Sequence, residues 1–411
     1  VGMIAFHETA HNLVTFGALG TKDDLFAGSF RRPPAYSLLL AGTYLIFGEK
    51  LWAVWGLHLI LWALVLFVLW RISRRFLEGV YAFLPALLLG LWWGASANIF
   101  IMNAEIFAML VAVCFAYFSL CFTETHKLLF AVFEGVTLAL LILIKPIFLY
   151  FIAVVIIFYW LSRERFLSRA ALFLVPLVIL VGSWALYSQR TFGTYDLASG
   201  ALTLMRRADD VTMQRERVYS FIIATLLGDF NADRIYPGYA DNPEPVTKES
   251  VERERVYTLG WERGKANEVD LQKKVFGEAE DLIFSRPLKY LSLTPLYALR
   301  LHVPVNYRGE GMDHTFAGPG RGTSRNQKTL VLVGIFLVWY SFIGIIFWSY
   351  IKRIKEYKKW GIILLIIPYL VIMYALVSHS ETRYILPVMP FYFLLFTVWS
   401  ASFIKQSRAW F

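Results

Sequence analysis

The chain is dominated by apolar runs of the length that crosses a lipid bilayer. A membrane-spanning helix needs roughly 17–25 mostly apolar residues. We predict nine spans, at residues 51–70, 80–98, 104–122, 128–144, 147–161, 170–187, 329–351, 361–378 and 385–404. The stretch 128–161 fits either one long helix or two short ones broken at Lys145-Pro146, because proline removes a backbone donor and clashes with the preceding turn.

The composition also indicates a chain embedded in lipid. Hydrophobic residues make up 58% of the sequence, charged residues only 17%, and the mean hydropathy is +0.55, so much of the surface must face lipid. The net charge of +10 does not indicate a nucleic-acid partner, because Lys and Arg collect at the ends of the apolar runs, as orientation signals do. Cys114 and Cys121 fall in one apolar run and are expected to be reduced packing residues. Their spacing indicates neither a disulfide framework nor a metal site.

Basic residues predict the side on which each connector lies, because short cytoplasmic loops are rich in Lys and Arg. We expect the following residues on the cytoplasmic side: Arg71, Arg74, Arg75, Lys127, Arg163, Arg165, Arg169, Lys352, Arg353, Lys355, Lys358, Lys359, Lys405 and Arg408. This orientation places residues 1–34, the insert 188–328 and the turn 379–384 on the extracytoplasmic side.

The predicted fold is an all-α polytopic membrane protein with about nine transmembrane helices. Residues 1–34 are expected to form part of a first extracytoplasmic loop, and residues 35–187 the transmembrane core. The apolar run 35–48 is too short to span, so it is predicted to be an interfacial or re-entrant helix. Residues 188–328 are expected to form an extracytoplasmic helical insert, and residues 329–411 the last transmembrane helices.

Polar residues near the outer ends of the spans are the candidates for chemistry, because polar groups at membrane depth are costly. Arg31 and Arg32 precede Pro33-Pro34, which holds the backbone extended before a helix start suited to a phosphate. Anchoring to lipid headgroups explains these arginines equally well. Asn103 and Glu105 lie at an outer turn, where they can contact substrate or cap a helix.

Other candidates likewise have a structural explanation beside a functional one. Lys145 can snorkel at its helix break or meet a phosphate. Glu134 must face a neighbouring helix or a polar cavity, and His58 is expected to be packed and hydrogen-bonded. A turn before the last span crowds three residues that can pair with each other or bind an anionic headgroup: His379, Glu381 and Arg383.

Four phrases in order resemble a known pattern: "RRPPAYSLLLAGTYLIFG", "KPIFLYF", "SWALYSQRTFGTYDLAS" and "SETRYILPVMPFYFLLF". The pattern is similar to glycosyltransferase family 39, the dolichyl-phosphate-mannose–protein mannosyltransferase-like group of the GT-C superfamily. The resemblance implies a GT-C bundle that takes a sugar from a polyprenyl-phosphate donor at an extracytoplasmic site. It does not cover the insert well. By position in the motifs, Arg32, Lys145 (where the family usually has arginine), Arg190 and Arg383 would lie near the donor phosphate, and Glu381 and Tyr384 in the substrate cavity.

The resemblance also implies a carboxylate base in the first outer loop, because the acceptor hydroxyl must lose its proton. Counting along the family pattern places this acid near Gly2, where no carboxylate stands. We therefore expect either that the chain lacks its true beginning, the alternative that we favour, or that Glu8 substitutes as the base. A single displacement would invert the anomeric carbon, and Arg, Lys or a divalent metal would steady the phosphate. No other cofactor is implied.

Two other functions remain open from the residues alone: a flippase or transporter of a lipid-linked substrate, and a non-catalytic lipid-binding protein of the same fold. The expected partners of the enzyme are the bilayer, the polyprenyl-phosphate sugar donor, and an acceptor that is a protein, a lipid or a glycan. The expected location is the plasma (inner) membrane, with the active site facing outward.

Overall fold

The structure is a computed structural model, and it describes most of the chain. The described residues are 2–17, 19, 32–163, 165–198, 200–212, 215–227, 232, 268–303, 325–378 and 382–408. Within these ranges every regular element is an α-helix or a short 3-10 helix, so the predicted all-α class is confirmed. The predictions for Arg31, His379 and Glu381 lie outside the described residues.

The α-helices are numbered here in chain order. They are α1 (Gly2–Phe16), α2 (Pro34–Phe47), α3 (Leu51–Ser73), α4 (Leu84–Leu91), α5 (Trp93–Ser96), α6 (Glu105–Thr125), α7 (Leu128–Ile144), α8 (Phe151–Ser162), α9 (Phe166–Phe192), α10 (Ala201–Asp209), α11 (Arg215–Leu227), α12 (Glu268–Ser285), α13 (Pro287–Arg300), α14 (Arg325–Arg353), α15 (Tyr357–Trp360), α16 (Ile362–Val377) and α17 (Met389–Arg408).

The helices form two compact units. The first unit comprises Val1–Ser199, Ile346–Leu370 and Leu386–Phe411, and within it α7 packs against both α6 and α9. The second unit comprises Gly200–Ile345 and Val371–Ile385, and within it α10 packs against α12 while α11 packs against α13. The insert therefore contains helices, as predicted.

The chain is a multi-pass membrane protein. Among the described residues, five helices are long and apolar enough to cross a bilayer: Leu51–Ser73, Glu105–Thr125, Phe166–Thr191, Val333–Trp360 and Arg383–Ile404. A bent pair, Gly79–Leu91 and Trp93–Phe100, makes a sixth crossing if it counts as one span. The other three predicted spans are helical but shorter: Leu128–Ile144, Pro146–Ser162 and Ile362–Val377. The count of nine spans stays a prediction.

The helices break at two identifiable residues, once between two predicted spans and once inside a predicted span. Lys145 leaves the helical region with φ −138° and ψ 95°, and a 3-10 turn begins at Pro146, so residues 128–161 form two helices rather than one. The span predicted at 80–98 is bent by 58°, because Trp92 adopts an extended backbone with ψ 109°. The Trp92 indole lies over Gly94, where an added Cβ would come within 2.6 Å of the ring.

A buried ion pair joins four helices of the first unit. Arg169 on α9 places Nη2 2.6 Å from Oε1 and Nε 3.2 Å from Oε2 of Glu134 on α7. Tyr159 on α8 donates its hydroxyl hydrogen to the same carboxylate at 2.9 Å. From α6, Ser119 accepts a hydrogen bond from Arg169 at 3.3 Å, and the Phe122 ring lies 3.9 Å from the guanidinium carbon.

This network identifies the partner of Glu134 and shows that Arg169 is buried. Arg169 lies in the first turn of α9 with only 1% of its surface exposed, because Glu134 supplies the opposite charge that an arginine needs in an apolar interior. Its place on the cytoplasmic side stays a prediction.

Gly135 allows α7 to approach α9 closely. An added Cβ at this position would lie 2.2 Å from the carbonyl oxygen of Phe173 on α9. Since that neighbour is backbone rather than a flexible side chain, it cannot move aside without separating the helices. The close approach brings the two backbones together next to the Glu134–Arg169 pair.

We expect Arg169→Ala to destabilise the protein by about 3–5 kcal/mol, because it leaves the Glu134 carboxylate buried without its counter-charge. The double variant Glu134→Leu/Arg169→Met should lose much less, because both charges leave together. Denaturant unfolding in mild detergent measures both changes. Equal losses for the single and double variants would contradict this account.

Gly135→Ala should separate α7 from α9 and lower the unfolding free energy by about 1–3 kcal/mol or more through overpacking. Gly182→Ala on α9 is the matched control, because an added Cβ there meets nothing within 4 Å. Alanine favours the helix over glycine by roughly 1 kcal/mol, so the control should be neutral or stabilising. The same unfolding measurement compares the two, and a Gly135→Ala variant as stable as Gly182→Ala would refute the close-packing role.

Candidate functional site

Arg32 lies immediately before α2 and beside α1. Pro33 has φ −55° and ψ 135°, and α2 begins at Pro34, so the Pro-Pro pair holds the backbone extended up to the first helical turn, as predicted. The guanidinium carbon of Arg32 lies 5.6 Å from the centre of the Phe6 ring on α1. Arg32 is half-buried, and the first backbone N–H groups of α2 are those of Ala35 and Tyr36, because Pro33 and Pro34 carry none.

Tyr36 and His58 fix the start of α2 to its neighbours. The Tyr36 hydroxyl lies 2.8 Å from Nε2 of His58 on α3, and Nδ1 of His58 lies 3.0 Å from the carbonyl oxygen of Ile99. Because a carbonyl only accepts, Nδ1 carries the proton and Nε2 accepts from the tyrosine. The prediction that His58 is a packed, hydrogen-bonded residue is confirmed.

Lys145 and Glu105, predicted separately, form one ion pair in the first unit. Nζ of Lys145 lies 2.8 Å from Oε2 and 3.0 Å from Oε1 of Glu105. The side chains are only 10% and 9% exposed, so each charge neutralises the other in a largely dry environment. A phosphate that approaches Lys145 must therefore compete with Glu105.

Asn103 orients the start of the helix that carries Glu105. Its Oδ1 accepts a hydrogen bond from the backbone N–H of Glu105 at 3.1 Å, and its Nδ2 donates to Oδ1 of Asn98 at 2.6 Å. The side chain thus satisfies one of the amide groups left open where α6 begins. The capping explanation applies to Asn103, while Glu105 pairs with Lys145.

The "SWALYSQRTFGTYDLAS" motif folds back on itself at the end of α9. Gly193 ends the helix with φ +76°, a left-handed conformation that glycine adopts without strain. The chain then returns so that Nε1 of Trp184 donates to the carbonyl oxygen of Leu197 at 2.9 Å, and Ser188 donates to that of Asp196 at 3.0 Å. Arg190 is exposed on the last turn of α9.

The α1 helix carries Glu8 together with two histidines that sequence reasoning missed. Glu8 is half-buried. On the same helix, Nδ1 of His7 lies 2.9 Å from the Tyr44 hydroxyl, and Nδ1 of His11 lies 2.5 Å from Oε1 of Glu49. The four-residue spacing of the histidines was a usable signal, because it places both on one helix face. Glu49 is 38 residues from His11 in the chain, so no local pattern predicts that contact.

In the second unit, Arg207 on α10 holds the end of α16. Its Nε donates to the carbonyl oxygen of Ala375 at 3.1 Å and its Nη2 to that of Tyr290 at 3.0 Å. The guanidinium lies between the rings of Tyr290 and Tyr297, 4.2 Å from each, and 3.6 Å from Asp210. Burial, followed by the nearby Asp210 charge, raises the pKa of Tyr297 well above its ordinary range.

The motif "SETRYILPVMPFYFLLF" begins at residue 380, a few residues after Ala375, which accepts a hydrogen bond from Arg207. The Tyr384 ring stacks on Tyr374 of α16 at 4.6 Å with an interplanar angle of 8°. Arg383 places its guanidinium carbon 5.6 Å from the Tyr384 ring centre. Two of the residues predicted for this turn, Arg383 and Tyr384, are thus ordered against the segment that Arg207 holds.

The described part of the chain lacks a cluster of metal-binding side chains. There, no group of three or more His, Cys, Asp or Glu side chains is arranged to hold a metal ion. The divalent metal that the family resemblance left open therefore has no fitting ligand set among the described residues, and no chemical step is assigned to it.

The fold of this chain has a match among solved structures. The chain is similar to the archaeal oligosaccharyltransferase AglB from Archaeoglobus fulgidus, with a TM-score of 0.51 and 13% sequence identity. The similarity covers 99% of this chain and 47% of AglB, so the chain spans about half the length of that structure. The chain accordingly has the GT-C fold predicted from its motifs.

The family comparison agrees with the motif pattern. Residues 31–187 match the sequence model of a family described as dolichyl-phosphate-mannose-protein mannosyltransferase. That segment contains the Arg-Arg-Pro-Pro and Lys-Pro phrases and ends within the Trp184 motif. The recognition made from these motifs is confirmed over this segment. A search among curated proteins found no match.

We expect Arg207→Ala to lower the unfolding free energy by about 3–5 kcal/mol, because Asp210 then loses its buried counter-charge. Arg207→Lys should retain the charge but lose the two-pronged donation to Ala375 and Tyr290, which gives an intermediate loss. Arg71→Ala is the matched control, because Arg71 is an exposed arginine on α3. Denaturant unfolding compares the variants, and equal effects at positions 71 and 207 would contradict the role of Arg207 in holding α16.

Proposed function

We propose that this chain is a membrane glycosyltransferase that moves a sugar from a polyprenyl-phosphate donor to an acceptor hydroxyl. The observation that carries the proposal is the position of Arg32, inside the segment that matches the mannosyltransferase family and directly before the N-terminus of α2. A helix N-terminus and an arginine together form a favourable environment for a phosphate.

The proposed reaction is a single displacement at the anomeric carbon. The acceptor oxygen forms a bond to that carbon as its hydroxyl proton moves to a base, and the bond between the carbon and the phosphate oxygen breaks. The electron pair leaves with the polyprenyl phosphate, where cationic side chains stabilise the added charge. Attack opposite the leaving group inverts the configuration.

The proposed donor and acceptor are chosen by analogy with the similar structure AglB. AglB was solved with an inhibitory peptide and a dolichol-phosphate. By analogy, we propose a dolichol- or polyprenyl-phosphate carrier as donor and a protein as acceptor for this chain. The transferred group is proposed to be a hexose or pentose.

The phosphate is assigned to basic residues of the matching motifs. These are Arg31, Arg32, Lys145, Arg190 and Arg383. Lys145 acts together with Glu105, so its charge becomes available only when the phosphate draws it from that pair. Substrate-binding roles are proposed for Asn103, Glu105, His379, Glu381 and Tyr384, and Glu8 is the base proposed from the family pattern.

The reaction is proposed to take place on the extracytoplasmic side of the plasma membrane. Arg71 and Arg74 are exposed at one end of α3, whereas Glu49 and Arg32 precede its other end in the chain. Positive charge favours the cytoplasmic side. This preference supports an outward position for α1 and for the start of α2.

Arg32→Ala should lower sugar transfer by roughly 100-fold, the scale expected when one group that stabilises developing charge is removed. Arg71→Ala is the matched control, because Arg71 is an exposed arginine at the opposite end of α3 and should leave the rate within about 2-fold. The assay follows labelled sugar from a polyprenyl-phosphate donor to a peptide, with the full-length protein in detergent. Equal rates for the two variants would refute the phosphate-binding role of Arg32.

A further inference from the structure

Three titratable side chains outside the matched motifs meet where α1 packs against the end of α2. Nδ1 of His11 lies 2.5 Å from Oε1 of Glu49, and Nε2 of His7 lies 4.0 Å from Oε2 of the same carboxylate. The histidine side chains are 42% exposed and the Glu49 side chain 35%. The cluster is therefore ordered by its contacts yet reachable from solvent.

The backbone builds this cluster from two separate segments. His7 and His11 are four residues apart on α1, so both project from one face. Gly48 ends α2 with φ +70°, a left-handed turn that glycine tolerates, and Glu49 follows it before α3 begins. Tyr44, one turn before the end of α2, accepts or donates a hydrogen bond at Nδ1 of His7, 2.9 Å away.

The contact with Glu49 determines the chemistry of His11. A carboxylate only accepts, so Nδ1 of His11 carries the proton, and Nε2 presents a lone pair on the opposite side of the ring. A hydrogen bond from the imidazole N–H to an ionised carboxylate is charge-assisted. The carboxylate stabilises the imidazolium that forms when Nε2 takes up a proton.

The other titratable groups around His11 do not take over this role. Burial and the charge of Glu49 raise the pKa of Tyr44 to about 12, so Tyr44 stays neutral near pH 7. His7 faces Tyr44 through Nδ1 and Glu49 through Nε2, so both of its nitrogens face partners. Arg32 lies next to Phe6, the residue before His7 on α1. A candidate phosphate-binding arginine therefore lies beside the helix that carries His11.

Zinc binding is the competing explanation, because His7, Glu8 and His11 have the H-E-x-x-H spacing of zinc-binding helices. Ligand atoms about 2.0–2.2 Å from a tetrahedral zinc ion lie about 3.3 Å apart. Nδ1 of His11 and Oε1 of Glu49 are instead in direct hydrogen-bond contact, and no group of three or more His, Cys, Asp or Glu side chains in the described residues is arranged to hold a metal ion. The geometry favours proton transfer over metal ligation.

We propose that His11, oriented by Glu49, is the general base that accepts the proton of the acceptor hydroxyl. The inference rests on the proposed glycosyltransferase function and replaces Glu8 in the role of base. As the acceptor oxygen bonds to the anomeric carbon, its proton passes to Nε2 of His11. The carbon–phosphate oxygen bond breaks with its electron pair on the phosphate, and the proton later leaves His11 to water.

The test compares base variants at a series of pH values in the full-length protein. His11→Gln should lower kcat/KM at least 100-fold and remove the ascending limb of the pH profile, while the KM for the polyprenyl-phosphate donor stays unchanged. Glu49→Gln should lower kcat/KM about 10-fold, because the neutral amide stabilises the imidazolium less. His126→Asn is the control, because His126 is an exposed histidine in a left-handed conformation that asparagine tolerates.

The outcomes separate the base assignment from the function. If the wild type transfers sugar and His11→Gln keeps its rate and pH profile, the base assignment is wrong while the transferase function stands. Loss of transfer in Glu8→Gln with full activity in His11→Gln would return the role to Glu8. One zinc ion per chain in the wild type, absent from His11→Gln, would overturn proton transfer as the role of the cluster. A wild type that transfers no sugar would overturn both proposals.

Discussion

Charge in a membrane interior must be paired, and the first unit depends on one such pair. Glu134 and Arg169 are buried between α6, α7, α8 and α9, and each helix contributes a side chain to the network. The pair has to desolvate two ions, which makes it a weak source of net stability but a strong constraint on which helix faces meet. Gly135 brings α7 and α9 close enough for that geometry.

The same principle recurs at the helix ends, where charges are less deeply buried. Lys145 and Glu105 pair where α7 ends and α6 begins, and Glu49 binds His11 where α2 ends. These positions lie at chain breaks made by proline or glycine, Pro146 and Gly48, so polar side chains cluster where the regular backbone stops. Helix interiors thus hold the bundle together, whereas the helix ends present groups that can exchange partners with a substrate.

Much of this arrangement was predictable from the sequence. Apolar run lengths located the helices, proline located the break at Lys145, and the motif order identified the GT-C fold. The pairing of side chains was not predictable, because Glu134 and Arg169 are 35 residues apart and Lys145 and Glu105 are 40 apart. The burial of Arg169 was not predictable either, because a basic residue near a span end looks the same in sequence whether it faces solvent or a buried carboxylate. The bend at Trp92 was missed because an unbroken apolar run gives no sign of the extended backbone at that residue.

The central claim is that this membrane protein transfers sugar rather than moving a lipid-linked sugar across the bilayer. The most direct test follows where the sugar of a labelled donor goes. Full-length protein in proteoliposomes is given a polyprenyl-phosphate donor labelled on the sugar, together with an acceptor peptide. The account predicts that label accumulates on the peptide as unlabelled polyprenyl phosphate is released. Label that crosses the bilayer still attached to its lipid, with none on the peptide, would contradict it.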